Sequence, residues 1–241
     1  MAEGADAAQW RYHDGSLELV GEIFEPRGEP NGQAVLVVHE ADGIGGNVRR
    51  HARGLADLGY IAAAADMHGK GRPLTDAEIP AALAAFKNDA DFFRRRVRSA
   101  YAALKDRYRL ADCAIGAIGY CFGGTAVLEL ARDGVPLAGV ASFHGLLTTA
   151  APAMPGAVRA RVLACTGWRD PLVPASDIDA FQQEMDSAGA DWQLTIFGRA
   201  HHSFTNSAVD DLGDPRMAFD AGADAMSWTI LLQFLSQSFA R

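Results

Sequence analysis

Positive charge is scarce in this chain of 241 residues: Lys and Arg number 22 against 30 Asp and Glu, a formal net charge of −8. A protein that binds nucleic acid needs a basic face to displace counterions, so this balance argues against such a partner. The basic cluster Arg94, Arg95, Arg96 and Arg98 falls inside a helical pattern and reads as a solvated helix face. Cysteine is sparse too. Cys113, Cys121 and Cys165 are odd in number and far apart, which is no disulfide framework and suggests reduced thiols in a cytoplasmic protein. No CxxC or Cys/His ligand spacing is present, so no metal is expected. No apolar run approaches the roughly 18 residues of a membrane span. The stretch Met1–Ala8 carries Glu3 and Asp6 and lacks the basic and apolar regions of a signal peptide.

What remains is ordinary globular material, 49% hydrophobic and 22% charged. Strand-like runs are Leu17–Glu25, Ala34–His39, Tyr60–Ala65, Cys113–Tyr120, Gly139–Phe143, Val162–Gly167 and Gln193–Phe197. Ala34–His39, an unbroken AVLVVH, is the pattern of a strand covered on both faces. Between the strands lie helical patterns. Val48, Ala52, Leu55 and Leu58 form a stripe closed by Gly59. Residues 76–108 are mostly helical, with Phe93, Val97, Ala100 and Leu104 on one stripe. Helices are also expected at Phe122–Arg132, at Ser176–Ala188 with Ser176 as cap, and at the C-terminus, where Phe219, Ala223, Met226, Ile230 and Phe234 share a side. Strands alternating with helices predict an α/β fold with a mainly parallel sheet and helices on both faces. One domain over residues 1–241 is the simplest organisation, with 69–86 a segment over the site.

The most informative segment is Gly119-Tyr120-Cys121-Phe122-Gly123-Gly124, where a buried strand gives way to a helix. It has the form Gly-x-nucleophile-x-Gly. A nucleophile on so sharp a turn leaves no room for Cβ atoms two residues to either side. The next backbone N–H can face a developing oxyanion, and the helix N-terminus favours a thiolate. A structural cysteine before a glycine-requiring helix is the alternative. Cys113 and Cys165 lie within strands and read as core. A cysteine nucleophile needs a base and an acid, which in such folds follow in the order nucleophile, acid, base. Asp170 follows the Val162 strand and His202 the Gln193 strand, both where open α/β sheets build their sites. Turn or loop roles are the alternatives for each. Gly43, Gly45 and Gly46 fit neither a dinucleotide fingerprint nor a phosphate loop, so no cofactor is expected.

From about Val20 to Phe239 the sequence resembles the dienelactone hydrolase family of α/β-hydrolases. The resemblance is carried by Gly119–Gly124, by Gly167, Asp170 and Val173-Pro174, by His202-Ser203-Phe204 and by Val38-His39-Glu40. It implies a Cys-His-Asp triad that hydrolyses an ester or lactone through a thioester. Cys121 would be the nucleophile, His202 the base and Asp170 its orienter. Glu40 would govern the resting state of the thiol, and the backbone N–H groups of Ala41 and Phe122 would form the oxyanion hole. His201 is the rival base; His202 is preferred because Ser-Phe follows it, as in the family. The family holds a substrate carboxylate with arginines. Here Asn206 stands at one of those positions, and 75–86 contains no arginine, although Lys70 and Arg72 are near. A neutral ester or lactone is therefore at least as well suited. Tyr120, His144, Trp168, His201, Phe204 and Asn206, with Lys70 and Arg72, are candidate pocket residues. The expected partner is a small-molecule ester or lactone, with no membrane or nucleic acid and with a monomer or homodimer as assembly. A non-catalytic binding protein and a thioester or amide hydrolase are the competing functions.

Overall fold

The computed structural model describes residues 7–241; residues 1–6 of the polar N-terminal stretch lie outside the described residues. Eight strands form one sheet: β1 (Ala7–Asp14), β2 (Leu17–Phe24), β3 (Ala34–Val38), β4 (Ile61–Ala65), β5 (Ile115–Tyr120), β6 (Gly139–Phe143), β7 (Arg161–Gly167) and β8 (Trp192–Phe197). Their spatial order is β1-β2-β4-β3-β5-β6-β7-β8. From β4 to β8 all neighbours are parallel, while β1 and β2 add an antiparallel hairpin at one edge.

The helices are α1 (Gly46–Asp57), α2 (Ile79–Asn88), α3 (Ala90–Tyr108), α4 (Phe122–Arg132), α5 (Ala175–Ser187) and α6 (Ala221–Phe239). Strand side chains alternate between faces. In β3, Leu36 and Val38 join a core under α2–α5, while Val35 and Val37 join a second core under α1 and α6. That is the two-sided α/β architecture the alternation predicts, and it is the α/β-hydrolase fold.

Several expectations need correction. β1 is a strand additional to those the sequence predicts; it pairs with β2 throughout, and Trp10 and Tyr12 alternate inward. Residues 76–108 form two helices, because Asp89 turns extended and accepts from Phe92 N–H to cap α3. Cys113 sits in a short 3-10 turn and is exposed, whereas Cys165 is buried. The arginine cluster is not wholly solvated: Arg96 is buried, donating to Asp14 at 2.8 Å and to the Met67 carbonyl at 2.5 Å, and Arg94 reaches Glu129. Ser176 does not cap α5, which starts from Pro174 with no side-chain cap. On α6 the inward face is Ala223, Ser227, Leu231, Phe234, Leu235 and Ser238; Met226 is exposed. Among the described residues no helix is long and apolar enough to cross a membrane.

Candidate active site

The parallel strands end along one edge, and five of the six lead into a polar side chain of the site there. β3 leads into Glu40, β5 into Cys121, β6 into His144, β7 into Asp170 and β8 into His202. Cys121 adopts φ 52° and ψ −116°, a strained conformation for a residue with a side chain. It persists because its flanks are glycines: a Cβ on Gly119 would lie 1.9 Å from the Gly123 carbonyl oxygen, and one on Gly123 would lie 2.2 Å from that of Val38.

Cys121 Sγ lies 3.1 Å from His202 Nε2, and His202 Nδ1 lies 2.7 Å from Asp170 Oδ2. Asp170 Oδ1 accepts from Leu172 N–H at 2.8 Å, so both carboxylate oxygens are engaged. Burial disfavours the His202 imidazolium, but the charge on Cys121 and the bond to Asp170 outweigh it and push the pKa up to about 10. Cys121 is partly exposed, while Asp170 and His202 are buried. Sulfur is thus the accessible member of an otherwise buried chain of contacts.

Behind this line lies a polar layer. Glu40 accepts from Asn206 Nδ2 at 2.9 Å and from Asn47 Nδ2 at 3.4 Å. Burial, then the nearby Asp42, raises its pKa to about 7 against the opposing pull of those bonds. The Cys121 N–H donates both to the Phe143 carbonyl (2.9 Å) and to His144 Nδ1 (3.0 Å). His144 therefore carries its proton on Nε2, which donates to Thr205 Oγ1 at 2.8 Å. Burial, and next the neighbouring His202, hold the His144 pKa well below its usual value. Nothing in the sequence marks Asn47 or Thr205. Each is a lone polar residue with no spacing signal, though both flank segments that carry site residues.

The candidate pocket residues divide. Tyr120, His144 and Phe204 are fully buried and offer no surface a substrate could touch: Tyr120 and Phe204 pack, and His144 hydrogen-bonds within the polar layer. Trp168 is exposed and His201 half-buried. Arg72 is ion-paired with Glu78 at 2.8 Å. Lys70 lines a cleft of about 330 Å³ with Leu17, His68, Leu74, Phe86 and Phe92. This cleft lies under α2, whose Phe86 ring is 5.0 Å from that of Phe122, so part of the 69–86 segment borders the turn at Cys121. Among the described residues, no group of three or more His, Cys, Asp or Glu side chains is arranged to hold a metal ion.

Known proteins share this arrangement of elements. A solved structure named m3DLH is 37% identical, with a TM-score of 0.91 over 98% of this chain and 100% of that one. A dienelactone hydrolase-like promiscuous phosphotriesterase, P91, from metagenomic libraries is 34% identical, with a TM-score of 0.89 over 98% of this chain and 99% of that one. A putative carboxymethylenebutenolidase of Methylorubrum extorquens is 27% identical over 182 residues, 70% of this chain and 62% of the relative. The family model for dienelactone hydrolases matches residues 19–239, taking in every strand from β3 to β8 and each of the side chains that meet at their ends; the chain belongs to the dienelactone hydrolase family.

Proposed function

We propose that this protein hydrolyses uncharged carboxylic esters or lactones, with Cys121 as nucleophile, His202 as acid and base, and Asp170 as the group that orients His202. The observation that carries the reading is the continuous contact from Cys121 Sγ to His202 Nε2 and from His202 Nδ1 to Asp170 Oδ2. With Sγ 3.1 Å from Nε2, the thiol proton can pass directly to the imidazole, and a thiolate is the reactive form.

In this reading the Cys121 thiolate forms a bond to the ester carbonyl carbon, and the carbonyl π electrons move to oxygen. The Ala41 and Phe122 N–H groups meet that oxyanion. Phe122 is the first residue of α4, where N–H groups have no intrahelical acceptor. Loss of one such donor typically costs about 10²–10³ in rate. Collapse breaks the bond to the leaving oxygen, which takes the proton from His202 Nε2. Water then attacks the thioester, gives its proton to His202 and releases the acid and the thiolate.

The preference for uncharged substrates rests on Asn206, which offers an amide where the family places an arginine, and on Arg72, whose charge is committed to Glu78. A neutral phosphotriester is a second reading, favoured by the similarity to the phosphotriesterase P91; its phosphoryl oxygen would meet the same donors.

The test is a panel of p-nitrophenyl acetate, a neutral enol lactone, a dienelactone carboxylate and paraoxon, with wild type and Cys121→Ala. Turnover of the neutral compounds, absent in the variant, is expected. Equal turnover by Cys121→Ala overturns the reading.

A further inference from the structure

Two histidines outside the Cys121 line converge on the loop that follows β3. His39 is fully buried. Its Nε2 accepts from Met67 N–H at 3.0 Å, so the ring proton resides on Nδ1. Nδ1 lies 2.6 Å from the Glu40 carbonyl oxygen and donates to it. His68, on the loop after β4, is set by its partner in the same way. Its Nε2 lies 3.0 Å from the Ala41 carbonyl oxygen, which can only accept. Its Nδ1 is buried without a hydrogen-bond partner. The two rings are 4.8 Å apart, and the Phe122 ring stacks on both, at 5.9 Å and 5.6 Å.

These contacts fall on consecutive peptide units. The Glu40–Ala41 peptide offers its carbonyl to His39 and has Ala41 N–H at its other end. The Ala41–Asp42 peptide offers its carbonyl to His68. The loop's own backbone bonds run from Gly43 N–H to Glu40 O and from Leu74 N–H to Asp42 O, leaving Ala41 N–H out. A hydrogen bond to a carbonyl polarises the whole peptide and strengthens its N–H as a donor. A donor aimed in advance at the developing charge is where catalytic electrostatics gains most.

We propose that His39 and His68 are positioning residues for the oxyanion site: His39 fixes and polarises the peptide whose N–H is the Ala41 donor, and His68 fixes the next carbonyl along. The proposal rests on the hydrolytic reading above, in which Ala41 N–H meets the substrate. Burial lowers the His39 pKa to about 4, so the neutral tautomer that makes both bonds persists at neutral pH. Neither imidazole exchanges a proton with substrate. Their effect is on where one N–H points.

Two reactions of Cys121 separate this role from general packing. Acylation by p-nitrophenyl acetate, read as the burst of p-nitrophenol, builds an oxyanion. Alkylation by iodoacetamide displaces iodide and builds none. His39→Gln can still accept from Met67 N–H but presents no donor at the Nδ1 position; His39→Asn keeps that donor and gives up Met67. Acylation is expected to fall about 10²-fold in His39→Gln, the scale of one lost oxyanion donor, with alkylation unchanged. His39→Asn is expected to recover most of the loss. His68→Gln against His68→Phe makes the same comparison at the second carbonyl and serves should position 39 not tolerate Gln. Unchanged acylation in His39→Gln and His68→Phe overturns the proposal, as does a parallel fall of acylation and alkylation. A wild type that alkylates but never acylates overturns the hydrolytic reading and this proposal together.

Discussion

Asn206 Nδ2 donates to Glu40 Oε2 at 2.9 Å, so the buried carboxylate that follows β3 is met by a neutral amide, not a cation. The amide satisfies a lone pair but brings no charge. Burial therefore dominates, and the Glu40 pKa sits at about 7 instead of 4.5.

That shift sets a pH dependence of stability. The folded state binds the Glu40 proton more tightly than the unfolded state does. Below pH 4.5 both states are protonated and nothing is lost; from 4.5 to about 7 the unfolded chain ionises first and stability falls; above that the loss is complete. At 1.36 kcal/mol per pKa unit the full loss is about 3 kcal/mol. Glu40→Gln is expected to melt above wild type in alkaline buffer and level with it in acid. Thermal melts across that range check this, and a Gln variant less stable than wild type at alkaline pH contradicts it.

Asn206→Arg places a bidentate cation against Glu40 and at the mouth of the site. A hydrogen bond to a charged group is worth about 1.5–3 kcal/mol, or about tenfold and more in binding. The ratio of kcat/KM for a dienelactone carboxylate over a neutral enol lactone should rise by that factor. An unchanged ratio would mean that Asn206 does not govern substrate charge.

Asp170→Asn keeps the shape beside His202 and removes the charge. By analogy with the triad carboxylate of serine proteases, kcat should fall on the order of 10⁴-fold. The His202 imidazolium, favoured up to about pH 10 in the wild type, should lose its proton at a lower pH. Steady-state kinetics and the NMR titration of the ring report the two effects separately.

Away from the site, Arg132 is buried with no exposed side-chain surface and bonds Glu129 (3.0 Å), Glu184 (2.9 and 2.8 Å) and the Leu147 carbonyl (2.5 Å). Arg132→Met would leave two carboxylates without that cation, although Arg94 still reaches Glu129 at 2.8 Å. A loss of about 3–5 kcal/mol is expected from breaking such a pair, measurable by urea unfolding. A loss near zero would show that Arg94 alone neutralises the group.

Local signals in the sequence were strong where the backbone itself is constrained. The end of β5, the start of α4 and the turn at Cys121 are legible because Gly119 and Gly123 have no alternative at those contacts. Features that depend on distant partners were not. Arg96 reads as solvated from sequence because its partner, Asp14, lies on β1, a strand additional to those the sequence predicts. That strand left a trace, the alternation of Trp10 and Tyr12, among residues of low strand preference. Cys121, Asp170 and His202 were legible through their order along the chain. Asn47, Thr205 and the contacts of His39 and His68 were not, because a hydrogen bond across 158 residues, such as Asn47 to Thr205, leaves no periodicity.

His144 joins the Cys121 amide on one side to the Thr205 hydroxyl on the other. Thr205 belongs to the same loop as His202. The Cys121 turn and the loop that carries His202 are therefore registered to each other by a third side chain. Anyone grafting the 201–206 loop onto a related scaffold, or exchanging it to alter specificity, must move His144 with it. A graft that carries His202 alone would transplant an imidazole without the contact that keeps its loop in step with Cys121.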